Sequence, residues 1–253
     1  MEVGRVEGKV ALITGASQGL GLADSQVLAR EGATVVMTDI KDGEGEAAAA
    51  AIREAGGKAT FIHHDASNEP DWQTVIQRIG DEHGRLDVLV NNAGMVIMET
   101  PDQCTLETFR KQNSIMSEGV FLGCKHAVPL MSETGGGSII NIASIASHLG
   151  FPIYFAYSAA KGAVRSMSKT MAVYCQMNGH NIRVNSLHPG AIDTPMIEQT
   201  KLDLGLDNKE DISPVVGLGK PEDVANVVLF LASDESRWVN GTEIIIDKTL
   251  SIQ

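Results

Sequence analysis

The run Lys9-Val-Ala-Leu-Ile-Thr-Gly-Ala-Ser-Gln-Gly-Leu-Gly21 decides the architecture. Residues 9–14 are apolar enough for a buried strand and break directly into glycines, and residues 20–31 follow with Leu22, Val27 and Leu28 at helical spacing. A strand that turns through glycines into a helix gathers free backbone N–H groups and the positive end of the helix dipole at one point. Gly15, Gly19 and Gly21, spaced G-x-x-x-G-x-G, let a pyrophosphate approach the backbone there. Glycines can serve a tight turn alone, but the strand–helix setting favours the phosphate reading. Asp39 stands eighteen residues beyond Gly21, at the end of a second β-rich run over 34–39. A carboxylate at that point accepts hydrogen bonds from ribose hydroxyls and repels a 2′-phosphate, so the cofactor expected is NAD.

Outward from this unit the alternation continues. Helical patterns over 43–55, 69–82, 106–111, 117–131, 154–176 and 221–233 are interleaved with strand patterns over 58–64, 86–91, 138–143, 181–187 and 243–247. Whether 106–111 and 117–131 are joined stays open. The pattern predicts an α/β single-domain Rossmann fold over 1–253, a doubly wound parallel β-sheet with helices on both faces. Residues 191–217 break the rhythm with Pro195 and Pro214 and read as a substrate-covering loop.

At 253 residues one such domain buries roughly 70–75% of its unfolded surface, and no second domain is needed. A net charge of -12 disfavours nucleic acid or an anionic membrane as partner. No stretch approaches the ~18 uninterrupted apolar residues of a membrane span, and the expected location is cytoplasmic. Cys104, Cys124 and Cys175 are widely spaced and odd in number, so neither a disulfide framework nor a metal site is indicated.

A second stretch carries the chemistry. Tyr157 and Lys161 lie four apart on a predicted helix, one above the other, where a fixed cation lowers the phenol from its ordinary value of about 10. Ser144 ends the buried strand of residues 138–143, at the sheet edge where ligands bind in open α/β folds. A Tyr-x-x-x-Lys pair by itself is common in helices. Its company here is Thr14-Gly-Ala-Ser-Gln-Gly-Leu-Gly21, Asn91-Asn-Ala-Gly94 and His188-Pro-Gly-Ala-Ile-Asp-Thr194, in that order along the chain. Together these motifs resemble the short-chain dehydrogenase/reductase family, over nearly the whole chain. The segments VFLGCKHAV, GGGSIINIAS, RVNSLHPG and VLFLASDES are most similar to its bacterial hydroxysteroid and alicyclic secondary alcohol dehydrogenases.

The resemblance implies that Tyr157 is the general acid/base, that Ser144 holds the substrate oxygen, and that Lys161 binds the cofactor ribose and tunes the tyrosine. It implies that Gly15, Ser17, Gln18, Gly19, Leu20 and Gly21 hold the pyrophosphate end, with Asp39 and Ile40 at the adenosine. Gln18 occupies a position often basic in relatives that use NADP. Asp65 and Ala66 would flank the adenine, and Asn92, Ala93 and Gly94 line the cofactor. Pro189, Gly190, Ile192 and Thr194 would meet the nicotinamide.

Two departures stand out. The family usually carries an asparagine five residues before a phenylalanine; the match to Phe121 is Met116, which cannot organise water for a proton relay. Asn113 lies on roughly the same helical face and substitutes if the helix is locally shifted. At the end, Asp247-Lys-Thr stands where Asp-Gly-Gly is common.

Met95, Val96, Ile145, Ala146, His148, Phe151, Tyr154 and Met196 are expected to face the substrate, a hydrophobic secondary alcohol or ketone, with a hydroxysteroid or cyclic alcohol preferred. Against this stand a 3-oxoacyl-carrier-protein reductase, disfavoured by Asp39, and a non-catalytic NAD-binding protein, for which Met116 is the support. Members of the family are commonly tetramers, so a homotetramer or homodimer is expected, with Ala163, Met167 and Met171 as an apolar face that serves an interface or a monomer core.

Overall fold

In a computed structural model that describes residues 4–252, seven strands lie side by side, every neighbouring pair parallel. They are β1 (Val10–Thr14), β2 (Thr34–Asp39), β3 (Lys58–His63), β4 (Val88–Asn91), β5 (Gly137–Ile142), β6 (Ile182–Pro189) and β7 (Glu243–Ile246), in the order β3-β2-β1-β4-β5-β6-β7. The order reverses between β1 and β4, which opens a crevice at the carboxyl ends of those two strands. Residues 1–3 and 253 of the expected 1–253 domain lie outside the described residues.

The sheet is covered on both faces because its strands are apolar on both. Along β1, Ala11 and Ile13 join one buried cluster and Val10 and Leu12 the other, the period of two that a pleated strand imposes. The first cluster takes residues of α1 (Gly19–Arg30), α2 (Asp42–Glu54) and α8 (Pro221–Ala232). The second takes residues of α3 (Glu69–His83), α5 (Gly119–Glu133) and α6 (Phe155–Met177). Trp72 of α3 is the largest fully buried side chain, its indole donating to the Ala66 carbonyl at 2.9 Å.

One expectation is corrected and one open point is closed. The span 191–217 is not a loop: it holds α7 (Pro195–Leu204) and a 3-10 turn at Lys209–Ile212. Pro195 is not a breaker there, because at the first helical position its missing N–H costs nothing, and Gly205 closes the helix at φ 64. The segment between 111 and 117 is continuous helix, running from α4 (Leu106–Asn113) through a π turn at Ser114–Glu118 into α5. Such a widened turn inserts a residue and shifts every later side chain around the axis.

Candidate active site

The glycine turn sits at the crevice. Gly15 has φ 63, and a Cβ there would lie 2.8 Å from Ala93 Cα; a Cβ on Gly21 would collide with the Gly15 carbonyl. Only glycine permits β1, α1 and the chain after β4 to approach this closely. Asn92 stitches the two strands together, its amide donating to the Thr14 carbonyl at 2.9 Å and the Gly15 carbonyl at 3.1 Å. The N–H groups of Asn92 and Ala93 both donate to Thr14 Oγ1 at 3.0 Å. Asn92 thus ties the end of β4 to the glycine turn.

Asp39 closes the β2 end. Its Oδ2 accepts from Ser17 Oγ at 2.7 Å and Ser17 N at 3.1 Å, and its Oδ1 accepts from Lys41 N at 3.2 Å. Lys41 Nζ reaches Gln18 Oε1 at 3.1 Å, a basic group beside the turn that the motif-by-motif reading passed over. Ile40 is exposed next to it. Beyond the neighbouring β3, on the same side of the crevice, Asp65 Oδ1 accepts from Ser67 N and Oγ, which orders the loop before α3, and Ala66 is buried.

Ser144, Tyr157 and Lys161 converge at the same edge of the sheet. Ser144 is extended at the start of a 3-10 turn, Ile145–Ser147, and its Oγ accepts from Ala146 N at 3.1 Å. It also hydrogen-bonds to Tyr157. Lys161 is buried; its Nζ donates to the Ile142 carbonyl at 2.7 Å and lies 5.7 Å from the centre of the Tyr157 ring. Burial lowers the ammonium to about 8. The phenol departs from expectation. Burial is the largest effect on Tyr157 and pushes it up to about 12, outweighing the bond to Ser144, which lowers it. Lys161 faces the ring rather than holding the hydroxyl down.

Met116 is fully buried in the π turn, and a Cβ on Gly94 would sit 3.4 Å from its Cγ and Sδ. The thioether therefore packs on the cofactor side of the crevice. Asn113 does not stand in for the missing asparagine: its amide donates back to the Phe109 carbonyl at 2.9 Å, one turn earlier in its own helix. Gln112, unnoticed in the sequence, is buried and bonds both backbone groups of Ile97, at 3.1 and 3.2 Å. It fixes the segment that follows Met95 and Val96.

At the opposite wall, Gly190 N donates to the Ile246 carbonyl at 2.9 Å, Ile192 is buried, and Thr194 precedes α7, with its Cβ 3.7 Å from where a Cβ on Gly19 would lie. Pro189 ends β6. Lys209 Nζ pairs with both Asp193 oxygens at 2.6 and 2.7 Å and so ties the 3-10 turn beyond α7 to the base of the segment. Tyr154 packs between Phe151 and Tyr157 with tilted rings, each centre 5.8 Å away, and burial raises its phenol, partly offset by Thr200 of α7. Ile145 and Ala146 are buried rather than facing a substrate, and Met95, Val96, Phe151 and Met196 are partly exposed.

His148 turns away from the cleft. It packs against His188, Nε2 to Nδ1 at 3.1 Å, and stands 3.4 Å from Glu243 Oε2. These three side chains are the one group of metal-type donors gathered among the described residues. Glu243 Oε1 is already paired with Arg165 at 2.8 Å and with Lys169. A divalent cation would meet two fixed positive charges there, so the donor set does not fit one.

A dinucleotide cradle at a strand-order switch, flanked by a serine, a tyrosine and a lysine at one sheet edge, defines an oxidoreductase-type Rossmann site. The family model described as Enoyl-(Acyl carrier protein) reductase matches residues 15–251. A 3-beta-hydroxysteroid dehydrogenase of Comamonas testosteroni is 41% identical, over 97% of this chain and 97% of its own. A cyclopentanol dehydrogenase of Comamonas sp. (strain NCIMB 9872) is 42% identical, over 97% and 98%. The crystal structure of levodione reductase superposes with a TM-score of 0.92 at 33% identity, covering 97% of this chain and 98% of that one. The chain belongs to the short-chain dehydrogenase/reductase family, whose dehydrogenases use a nicotinamide cofactor, and it is an enzyme of that alcohol dehydrogenase/reductase type. Among the described residues no helix is long and apolar enough to cross a membrane.

Proposed function

We propose that the protein is an NAD-dependent dehydrogenase of hydrophobic cyclic secondary alcohols, a hydroxysteroid or an alicyclic alcohol, and of the corresponding ketones. The observation that carries this reading is the meeting of Ser144, Tyr157 and Lys161 beside the glycine turn, with Asp39 at the far end of the same crevice. The cradle fits the cofactor: glycines where a Cβ would obstruct, and a carboxylate rather than an arginine at the end of β2. When bound, the nicotinamide supplies the hydride acceptor or donor.

The chain's own residues handle the oxygen and the proton. Ser144 Oγ holds the substrate oxygen against Tyr157, whose phenolate takes the hydroxyl proton in oxidation and whose phenol returns it in reduction. Lys161, anchored by Ile142, keeps N–H groups for the ribose hydroxyls. Phe151, Tyr154 and Met196 give the cleft apolar walls, and α7 covers it, which suits an alicyclic ring. Asp39 and the apolar walls weigh against a carrier-protein thioester, and the intact Ser144, Tyr157 and Lys161 weigh against a non-catalytic role despite Met116.

The paired-helix face supports a homotetramer or homodimer. Val120, Phe121 and Cys124 of α5 and Met167, Thr170 and Met171 of α6 line an apolar groove of about 280 Å³, with Phe121 half exposed. The decisive experiment is NADH formation by the purified protein with NAD and a panel of hydroxysteroids, cyclic alcohols and aliphatic secondary alcohols. Turnover confined to the cyclic substrates is expected. Turnover with acyl thioesters and none with the cyclic alcohols would overturn the assignment.

A further inference from the structure

Behind Ser144 lies a polar cluster that the proposed chemistry does not use. The 3-10 turn Ile145–Ser147 is folded on itself by Ser147 Oγ, which donates to the Ser144 carbonyl at 2.7 Å. His188, fully buried in β6, presents Nδ1 to this turn, 2.9 Å from Ser147 Oγ and 3.2 Å from the Ser144 carbonyl. Its Nε2 lies 2.8 Å from Ser186 Oγ. The hydrogen positions follow from the partners. A carbonyl only accepts, and the Ser147 hydroxyl proton goes to that carbonyl, which assigns the ring proton to Nδ1; Nε2 then accepts from Ser186, and His148 Nε2, 3.1 Å from Nδ1, is the unprotonated nitrogen of its ring.

The same turn is held from a second side. Arg165 lies one helical turn past Lys161 on α6, and its Nη1 donates to the Ser147 carbonyl at 3.2 Å while its Nε pairs with Glu243 of β7 at 2.8 Å. His148 fills the remaining gap, between His188 Nδ1 at 3.1 Å and Glu243 Oε2 at 3.4 Å. The backbone of Ser144 is thereby tied to β6 through His188 and to α6 through Arg165. Because α6 also carries Tyr157 and Lys161, the cluster sets the separation between the serine and tyrosine hydroxyls from behind. We propose that His188 is a positioning residue that holds Ser144 at the distance and angle from Tyr157 that the reaction needs, with His148, Arg165 and Glu243 as its outer brace.

This rests on Ser144 being the residue that holds the substrate oxygen, and Ser144→Ala is therefore run beside the test. Steady-state oxidation of cyclopentanol with NAD is measured for the wild type, His188→Ala, His188→Asn and His188→Gln, with NADH affinity followed by fluorescence. An error of 1 Å in a reacting group costs on the order of 10²-fold. His188→Ala is expected to lose about that factor in kcat with NADH affinity unchanged. Asparagine, whose amide N–H falls where Nδ1–H was, recovers much of it; glutamine, which reaches toward Ser186 instead, does not. Full turnover in His188→Ala, or equal rescue by glutamine and asparagine, overturns the proposal. Wild-type turnover in Ser144→Ala would instead overturn the reading of the site itself. Independently of any substrate, 15N-histidine NMR of the wild type is expected to show His188 as the Nδ1–H tautomer, and an Nε2–H tautomer rules the positioning bond out.

Discussion

Ser17 and Asp39, twenty-two residues apart, are joined by a 2.7 Å hydrogen bond from the serine hydroxyl to the carboxylate, reinforced at 3.1 Å by the serine's own N–H. The bond fastens the glycine turn of α1 to the end of β2, so the group proposed to read the ribose is held by the element proposed to hold the pyrophosphate. Removing it therefore acts on both. Asp39→Ala is expected to weaken NADH binding about tenfold or more, the scale of a hydrogen bond to a charged group. It should weaken NADPH binding far less, because Lys41 beside Gln18 then faces a 2′-phosphate without an opposing carboxylate. Fluorescence titration with both nucleotides gives the ratio, and an unchanged ratio removes Asp39 from cofactor choice.

Tyr157 and Lys161 make a pH prediction with a definite sign. Oxidation needs the phenolate, so the oxidation rate should climb with pH, while the reduction rate, which needs the phenol, should hold until pH approaches the raised value. The phenol is raised to about 12 and the ammonium lowered to about 8 by burial. Because the cation faces the ring rather than the hydroxyl, Lys161→Met should weaken cofactor binding and leave the alkaline limb of oxidation in place. Tyr157→Phe should retain NADH affinity and lose turnover in both directions. An oxidation profile that is flat from pH 6 to 10 in the wild type, or turnover in the phenylalanine variant, would exclude the tyrosine from proton transfer.

The parts of this molecule that were legible from residue order are those written in short-range rules. The period-two pattern of β1, the glycine turn and the four-residue spacing of Tyr157 and Lys161 each predict their own geometry. What escaped depends on distant partners or compensations. The π turn at Ser114–Glu118 leaves no propensity signal, and Asn113 just before it bonds back to Phe109 instead of serving the site. His148 reads as a substrate contact until β6 and β7 bring His188 and Glu243 beside it. Helix α7 was legible after all, from Thr194 and Pro195 at its start and Gly205 at its end, but two prolines in a polar stretch argued loudly for a loop.

Asp24 is an acid enclosed in α1. Neither of its oxygens has a hydrogen-bond partner, the residue is fully buried, and burial raises its carboxyl well above the ordinary value. Between the ordinary carboxylate range and that raised value the folded chain keeps a proton that the unfolded chain releases. Its contribution to stability is therefore complete in acid and is lost as pH rises, by up to about 1.4 kcal/mol per pH unit within that window. Asp24→Asn, which has no proton to lose, should be the more stable protein at pH 8 and should differ little near pH 4. Urea denaturation at the two pH values measures this, and parallel pH dependence in both proteins would show that Asp24 is not the source.

Lys248 and Thr249 occupy φ values of 49 and 74, where the family commonly places two glycines. A left-handed backbone costs a residue with a Cβ roughly 1–2 kcal/mol, and a β-branched threonine is a marked outlier there. The strain has a visible return at Lys248, whose Nζ donates to the Val216 carbonyl at 3.1 Å and so ties the end of the 191–217 segment to the chain beyond β7. Lys248→Gly relieves strain but releases the segment proposed to cover the cleft, so it should raise KM for the alcohol while leaving NADH affinity intact. Steady-state kinetics and fluorescence titration on this variant test the tie, and an unchanged KM would exclude it.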